Sequence, residues 1–418
     1  MGLPEQLSRA RELCAAARYS EAAGAVQEPL PSLVAEFGEH HEHVLAARLL
    51  LARALGELGE HGLAVELARQ AAAEVDARLD DGHPLRTEGR YVLGHALRLA
   101  EEGAQAEPRL RQAAEAGHPD AMVSLGVLLH RAGSPAEAEE WWRRAAGTGN
   151  SGAMFTLGAL HDRRGEAGEA ELWWRRAAEA GHVEAMTSLG VRYAGAGAAE
   201  EARAWWYRAA EAGHGMAMTN LGLLLARSGD ATEALYWLGR AAGTGDPFAM
   251  DHLALLHYRT GDAAEAETWW RQAAEAGHAR AAANLGSLLQ ETGRGDEARG
   301  WLRRAAEDGD PDAMTNLGLL LHGEGEREEA ESWLRRAAET GHGEAAVNLG
   351  VLLERTERPR DAEAWYRRAA EAGDPNSMTN LGLLLHGEGE REEAESWLRR
   401  AAEAGHPGAQ AHLERLTE

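Results

Sequence analysis

The dipeptide Leu-Gly recurs in this chain with a constant step of thirty-two positions, at Leu125-Gly126, Leu157-Gly158, Leu189-Gly190 and Leu221-Gly222, then at Leu285-Gly286, Leu317-Gly318, Leu349-Gly350 and Leu381-Gly382. Leu253 holds the remaining place, with Ala254 behind it. A second lattice keeps the same step through Ala106, Ala138, Ala170, Ala202, Ala234, Ala266, Ala298, Ala330, Ala362 and Ala394, and begins with Ala22 and Ala64 at a spacing of forty-two. Self-similarity at such a period means a stack of supersecondary units, each burying its apolar face on its neighbours. A chain of 418 residues would otherwise be expected to form about three separate cores. The lattice gives twelve units instead, with two long steps followed by nine short ones.

Each unit reads as two helices. Ala121, Leu125, Leu128 and Leu129 make an i, i+4, i+7, i+8 stripe, Gly133 interrupts it, and Ala138, Trp141, Trp142 and Ala145 make a second stripe. Gly149 is placed to end the second helix in a left-handed conformation. The residue after that glycine is His, Asn or Asp, as at His118, Asn150, His182, His214 and Asp246, and is placed to cap the next helix. Glu139 and Glu140 precede Arg143 and Arg144 by four positions, a pairing that supports an exposed helix face. Helix-favouring Ala, Leu, Glu and Arg dominate, and proline is scarce at 12.

The 13 tryptophans fall on two adjacent slots of the second helix. One slot is Trp in all nine short units, from Trp141 to Trp397; the next holds Trp142, Trp174, Trp206 and Trp270, and otherwise Leu or Tyr. An aromatic stripe at this spacing is expected to pack within or between hairpins. A row of exposed aromatics that grips a ligand is the other reading.

The net charge of −25 excludes a general nucleic-acid binder, which needs a basic face against phosphates. It also disfavours anionic membrane surfaces, and it suits a basic polypeptide partner. The single cysteine, Cys14, permits no intrachain disulfide and is expected to be a small buried side chain in a reducing compartment. Met1-Gly2-Leu3-Pro4-Glu5 lacks a basic segment followed by an apolar run, and no apolar stretch is long enough to span a bilayer, so a cytoplasmic protein is expected. All 43 basic residues are arginine, which fits a GC-rich bacterial genome.

At these residues the chain resembles the tetratricopeptide repeat and its Sel1-like relative. Leu125 followed thirteen positions later by Ala138, then Trp142 and Ala145, has the tetratricopeptide spacing. The string carried by Trp397, Arg400, Ala401, Ala402, Gly405 and His406 looks more like Sel1. The first two long units resemble the tetratricopeptide variety with extended helices. The resemblance implies an all-α, right-handed α-solenoid of about twelve antiparallel helix hairpins. It places tetratricopeptide-like hairpins with the long spacing at 1–112, the array with the short period at 113–418, and a capping helix near 408–416. Residues 310–342 and 374–406 are nearly identical, as a recent duplication of a two-hairpin block would leave them.

The slot before Leu-Gly is polar and holds Asn220, Asn284, Asn316, Asn348 and Asn380. Asparagine is a mediocre residue inside a helix, and its amide can both donate to and accept from a peptide backbone. The resemblance places this slot on the first helix beside the inner wall and implies a ladder that holds an extended peptide. Thr219, Thr315 and Thr379, one position earlier, and His252 are the accompanying candidates. The other reading is that each Asn bonds an adjacent helix or copies one ancestral repeat. The unit with Asp251, His252, His257 and Tyr258 departs most from the pattern, as either a local hot spot or a degenerate repeat. A carboxylate clamp of Lys and Arg, which some relatives use, lacks its residues: the chain has no Lys, and its Arg residues cluster on second helices, as at Arg143, Arg144, Arg175 and Arg176.

No catalytic motif, phosphate loop or zinc spacing is present, so no enzyme, metal or cofactor is expected. His40, His41 and His43 precede a helix and are expected to cap it. The expected function is a scaffold or adaptor that binds a polypeptide. Self-assembly through the hairpins and a regulatory role in a larger bacterial complex are the alternatives, and the oligomeric state is left open.

Overall fold

The computed structural model describes residues 3–15 and 17–417, which form helices joined by short turns. They fall into two compact units, Met1–Ala212 and Gly213–Glu418. The first contains α1 (Leu3–Ala15), α2 (Tyr19–Gln27), α3 (Leu30–Phe37), α4 (Glu42–Glu57), α5 (His61–Arg78), α6 (Pro84–Leu99), α7 (Gly103–Glu115), α8 (Pro119–Arg131), α9 (Pro135–Gly147), α10 (Ser151–Arg163), α11 (Ala167–Glu179), α12 (Val183–Gly195) and α13 (Ala199–Glu211). The second contains α14 (Gly215–Ser228), α15 (Ala231–Ala242), α16 (Pro247–Arg259), α17 (Ala263–Glu275), α18 (Ala279–Glu291), α19 (Gly295–Glu307), α20 (Pro311–Glu324), α21 (Arg327–Glu339), α22 (Gly343–Arg355), α23 (Pro359–Glu371), α24 (Pro375–Glu388), α25 (Arg391–Glu403) and the lone α26 (Ala409–Thr417).

From α4 onward consecutive helices pair as antiparallel hairpins, α4 with α5 through α24 with α25, and α1 pairs with α2. Each unit is thus an all-α solenoid of stacked hairpins, and the twelve lattice alanines each sit on a second helix. The two long steps have different causes. The first contains an additional short helix, α3, between hairpins, along with the 16-residue α4; the second comes from long helices alone, the 18 residues of α5 and the 16 of α6. The expectation of extended helices therefore fails for the first of the two long units, where α1 has 13 residues and α2 has 9.

The turns repeat at half the period. A residue with positive φ occupies every sixteenth position from Glu101 through Gly117, Gly133 and Gly149 to Gly405. Each half-unit is mostly a single helix spanning about 20 Å, followed by a left-handed stop. At Gly149 (φ +90°) the Gly149 N–H donates to the Ala146 carbonyl and the Asn150 N–H to the Ala145 carbonyl, satisfying two carbonyls that the helix end leaves open. Glu101 (φ +63°) and Glu357 (φ +60°) occupy this lattice without being glycine.

After the turns between hairpins the next residue caps the following helix. His118 Nδ1 accepts from the Ala121 N–H at 3.3 Å, Asn150 Oδ1 from Ala153 at 2.8 Å, and His342 Nδ1 from Ala345 at 3.2 Å. His41 does the same for α4, accepting from the His43 N–H. With Nδ1 accepting, the imidazole proton sits on Nε2, and in His342 that nitrogen faces Asp312 at 2.9 Å in the preceding first helix. One side chain thus ends a turn and ties two hairpins together.

Within each hairpin the glycine of Leu-Gly faces the large residue sixteen positions later. A methyl added at Gly126 would lie 2.3 Å from Trp142 Nε1, at Gly318 2.7 Å from Leu334 Cγ, and at Gly350 2.2 Å from Tyr366 Cε1. These side chains are buried, with Leu334 and Tyr366 each 1% exposed. Trp, Leu and Tyr all serve at this slot because each fills the space opposite a missing side chain. The invariant Trp slot is the less enclosed one: Trp173, Trp205, Trp269, Trp301 and Trp365 are half-buried. There an arginine three positions on lies over the ring, 4.0 Å from the centroid for Arg144 on Trp141 and 4.1 Å for Arg400 on Trp397. Beside Trp365 a cavity of 420 Å³ opens where Ala346 replaces the methionine found at Met314 and Met378.

Two substitutions test this geometry. Glu357→Gly should stabilise the second unit by about 1 kcal/mol, because a side chain in the left-handed region costs roughly 1–2 kcal/mol. Gly126→Ala should destabilise its hairpin by about 1–3 kcal/mol through overpacking against Trp142. Urea denaturation followed by circular dichroism reads both, and a lower midpoint for Glu357→Gly would contradict the turn assignment.

Candidate functional site

The first helices of consecutive hairpins touch directly in the second unit, α18 with α20, α20 with α22 and α22 with α24. Consecutive second helices meet through long side chains, as Arg271 with Glu297 (2.8 Å) and Arg303 with Glu329 (2.6 Å). The first helices therefore form a continuous wall on the inner side of the stack.

The asparagine row lies on this wall, but its members differ. All five are half-buried. Asn316 Nδ2 donates to Ser287 Oγ at 2.9 Å, and Asn284 Nδ2 to Asp251 Oδ1 at 3.0 Å, each partner being on the preceding first helix. Asn348 and Asn380 make no side-chain hydrogen bond among the described residues. The cause can be read from the register. Ser287 precedes Asn316 by twenty-nine positions; at the same offset stand Leu319 before Asn348 and Val351 before Asn380, which cannot accept. Both aliphatic residues reach solvent, Leu319 at 38% and Val351 at 40% exposed, as does Leu383 at 37%. A cavity of 390 Å³ opens between α22 and α24, bordered by Val351, Leu383 and the free amide of Asn380.

Thr219, Thr315 and Thr379 are buried, and their hydroxyls donate to the carbonyl four positions back in their own helices, as Thr315 Oγ1 to Pro311 O at 2.8 Å. They stand behind the wall, and nothing of them is offered to a ligand. His252 is half-buried, 4.5 Å ring to ring from Phe248 and 3.2 Å from Arg280 Nη2. Burial pushes its imidazole below the ordinary value, with Arg280 adding to the effect.

The divergent hairpin around Asp251 is internally compensated. In two of the three glycine hairpins with Trp at this slot the indole N–H reaches a first-helix carbonyl, Trp142 to Val123 and Trp206 to Thr187, both at 3.2 Å, while the Trp174 N–H is buried without a partner among the described residues. Ala254 adds a methyl where that close approach is made, so Trp270 must sit differently. Its N–H donates instead to Asp251 Oδ1 at 3.0 Å. Arg280 Nε donates to Asp251 Oδ2 at 2.8 Å, and Asn284 completes the set, so a carboxylate with no exposed surface is fully paired. Sequence reasoning found the residues, but the signal joining them was the coincidence of Ala254 with Asp251.

The first unit has a polar network of its own on its first helices. His95 accepts at Nδ1 from the Ser124 hydroxyl (3.1 Å) and donates from Nε2 to Glu57 (2.8 Å). Ser124 occupies the slot that asparagine fills elsewhere. Arg53 pairs with Asp120 at 3.3 Å and lies over the Tyr91 ring, which stacks on His118 at 4.4 Å. Among the described residues no group of three or more His, Cys, Asp or Glu side chains is placed to hold a metal ion, and no helix is long and apolar enough to cross a membrane.

Family models described as tetratricopeptide repeat match residues 91–153, 247–272, 278–308, 315–378 and 376–404. The Sel1 repeat model matches 163–182, 183–214 and 215–246. A Sel1 repeat protein from Oxalobacter formigenes is similar with a TM-score of 0.55 and 27% identity, over 71% of this chain and 93% of that one. A tetratricopeptide repeat protein from Parabacteroides merdae (TM-score 0.41, 16% identity, 56% of this chain and 99% of that one) is a weaker likeness. So is yeast Tom70 (0.45, 12%, 99% and 95%). No curated protein matches the sequence.

The His95 network makes these first helices of the first unit sensitive to acid. Burial pushes His95 below the ordinary imidazole value, against the pull of Glu57, and the hydrogen bond from His95 holds Glu57 below the usual carboxylate range. Both groups bind protons more weakly folded than unfolded. Stability is therefore present above the unfolded imidazole value of about 6.5 and is lost as pH falls through the lowered folded value, with a further loss as Glu57 protonates. Hydrogen exchange of α6 amides should quicken between pH 7 and pH 5 relative to α5, after correction for intrinsic rates. Equal protection at both pH values would contradict the assignment.

Proposed function

As the chain belongs to the tetratricopeptide and Sel1-like repeat proteins, which generally mediate protein–protein interactions, we propose that its second unit holds an extended polypeptide segment along the inner wall, as a scaffold or adaptor. Such scaffolds are generally non-catalytic. The observation that carries the reading is the pair of free amides, Asn348 and Asn380, set beside exposed aliphatic side chains on adjacent hairpins. Each amide can donate to and accept from one peptide unit of a ligand, which is how an extended chain is held without regard to its side chains. First helices packed about 8–10 Å apart match about three residues of extended chain, at roughly 3.3 Å each. Leu319, Val351 and Leu383 offer apolar contact between the amides. Asn284 and Asn316 belong to the framework, since their donors are already used within the stack. A reducing, cytoplasmic setting fits the one buried thiol, Cys14.

Substitution separates the two groups of asparagines. In Asn348→Ala/Asn380→Ala, affinity for a partner isolated from the native cell should fall at least about 30-fold, from four lost hydrogen bonds, two per amide, of about 0.5–1.5 kcal/mol each. Its thermal midpoint should stay unchanged. Asn284→Ala/Asn316→Ala should instead lower the midpoint. Val351→Ser should weaken binding without unfolding, by giving Asn380 the intramolecular acceptor that Ser287 gives Asn316. Unchanged affinity in the first double variant would remove the ladder.

A further inference from the structure

The duplicated block contains its own control. Helices α20 and α24 share the run Met-Thr-Asn-Leu-Gly-Leu-Leu-Leu-His-Gly-Glu and differ in what precedes them. In the first copy the asparagine and two glutamates at the C-terminal end of the wall are paired within the chain. Asn316 has Ser287. Glu324 and Glu326 share the guanidinium of Arg299, at 3.0 and 2.8 Å. The residue matching Glu354 is the neutral Gln290.

In the second copy the same helix faces different neighbours. Val351 replaces Ser287, and Glu363 replaces Arg299, so the cation between the two glutamates is missing. Glu388 and Glu390, the counterparts of Glu324 and Glu326, form no ion pair among the described residues, and neither does Glu354. The 390 Å³ cavity lies here, with Val351, Pro359 and Leu383 as apolar walls, Glu354 and Glu388 at its border, and no basic residue in its lining. Burial pushes the Glu354 carboxyl above the usual carboxylate range.

We infer that this cavity takes an arginine side chain of the bound segment, its stem against Val351 and Leu383 and its guanidinium meeting Glu388 at the cavity border and Glu390 beyond the lining. The inference rests on the proposed groove and adds the chemistry of one bound residue. Arg299 shows the occupant, since in the first copy a guanidinium from within the chain lies between the two matching glutamates. Arginine suits it better than lysine because the planar fork can meet two carboxylates at once. The net charge of −25 favours the approach of such a segment.

The test uses the full chain and three capped, dye-labelled heptapeptides, Ala-Leu-Ala-Xaa-Ala-Leu-Ala, with arginine, citrulline or glutamate at the centre, read by fluorescence anisotropy. The arginine peptide should bind at least about 10-fold more tightly than the citrulline peptide, as expected for charge-assisted hydrogen bonds, and glutamate should bind worst. Glu388→Gln/Glu390→Gln should remove the preference for arginine and leave citrulline binding as it was. Glu363→Arg should remove the preference as well, by restoring the internal arginine, and should raise the thermal midpoint. Equal affinity for arginine and citrulline peptides, with both weakened by Asn380→Ala, would overturn the arginine assignment and leave the groove standing. No binding of any peptide, or binding indifferent to Asn348→Ala/Asn380→Ala, would count against both.

Discussion

The contact on which the stack depends is the close approach of a first-helix glycine to the side chain sixteen positions later. A hydrogen is the only substituent that fits between Gly126 and the Trp142 indole, or between Gly350 and the Tyr366 ring. Side chains in a packed interior cannot yield by an ångström at small cost, so this contact sets how closely the two helices of a hairpin lie. With a left-handed turn closing every half-unit, it leaves little freedom in how each hairpin is closed. The Asp251 hairpin shows the constraint from the other side. There a methyl at Ala254 is accommodated only with a re-aimed Trp270 and a carboxylate held by Arg280 and Asn284.

Rigid hairpins make the inner wall a repeating surface whose chemistry changes through single residues. Asn316 and Asn380 lie in the same eleven-residue run of two nearly identical helices, yet one amide is used and the other is free, because Ser287 and Val351 differ at the matching place on the preceding first helix. A glutamate pair is neutralised by Arg299 in one copy and unpaired in the other. Duplication followed by change in the neighbouring hairpin is thus a route from internal contacts to a binding surface. It leaves the fold intact, because the glycine contacts and caps are untouched.

Much of the architecture was legible in sequence because its causes are local. The Leu-Gly and alanine lattices mark helices and their pairing, and Gly149 with Asn150 marks a turn with its cap. The extra helix α3 was not legible, since a long step has the same length whether it holds long helices or an added one. The site was legible only in outline. Whether an asparagine is free depends on a residue on another helix, at an offset of 29 for Ser287 and 33 for Asp251, and that stagger is set by packing between hairpins. The threonines show the same limit: one position from Asn316, Thr315 has turned behind the wall and spent its hydroxyl on its own helix.

The assignment of the inner wall is tested most directly by site-specific photocrosslinking in the native cell. A benzophenone side chain placed in turn at Leu319, Val351 and Leu383 should give adducts with one and the same polypeptide. Leu172 and Tyr236, which are exposed on second helices at 43% and 56%, should give none with it. Adducts from the second-helix positions, with none from the inner three, would contradict the assignment.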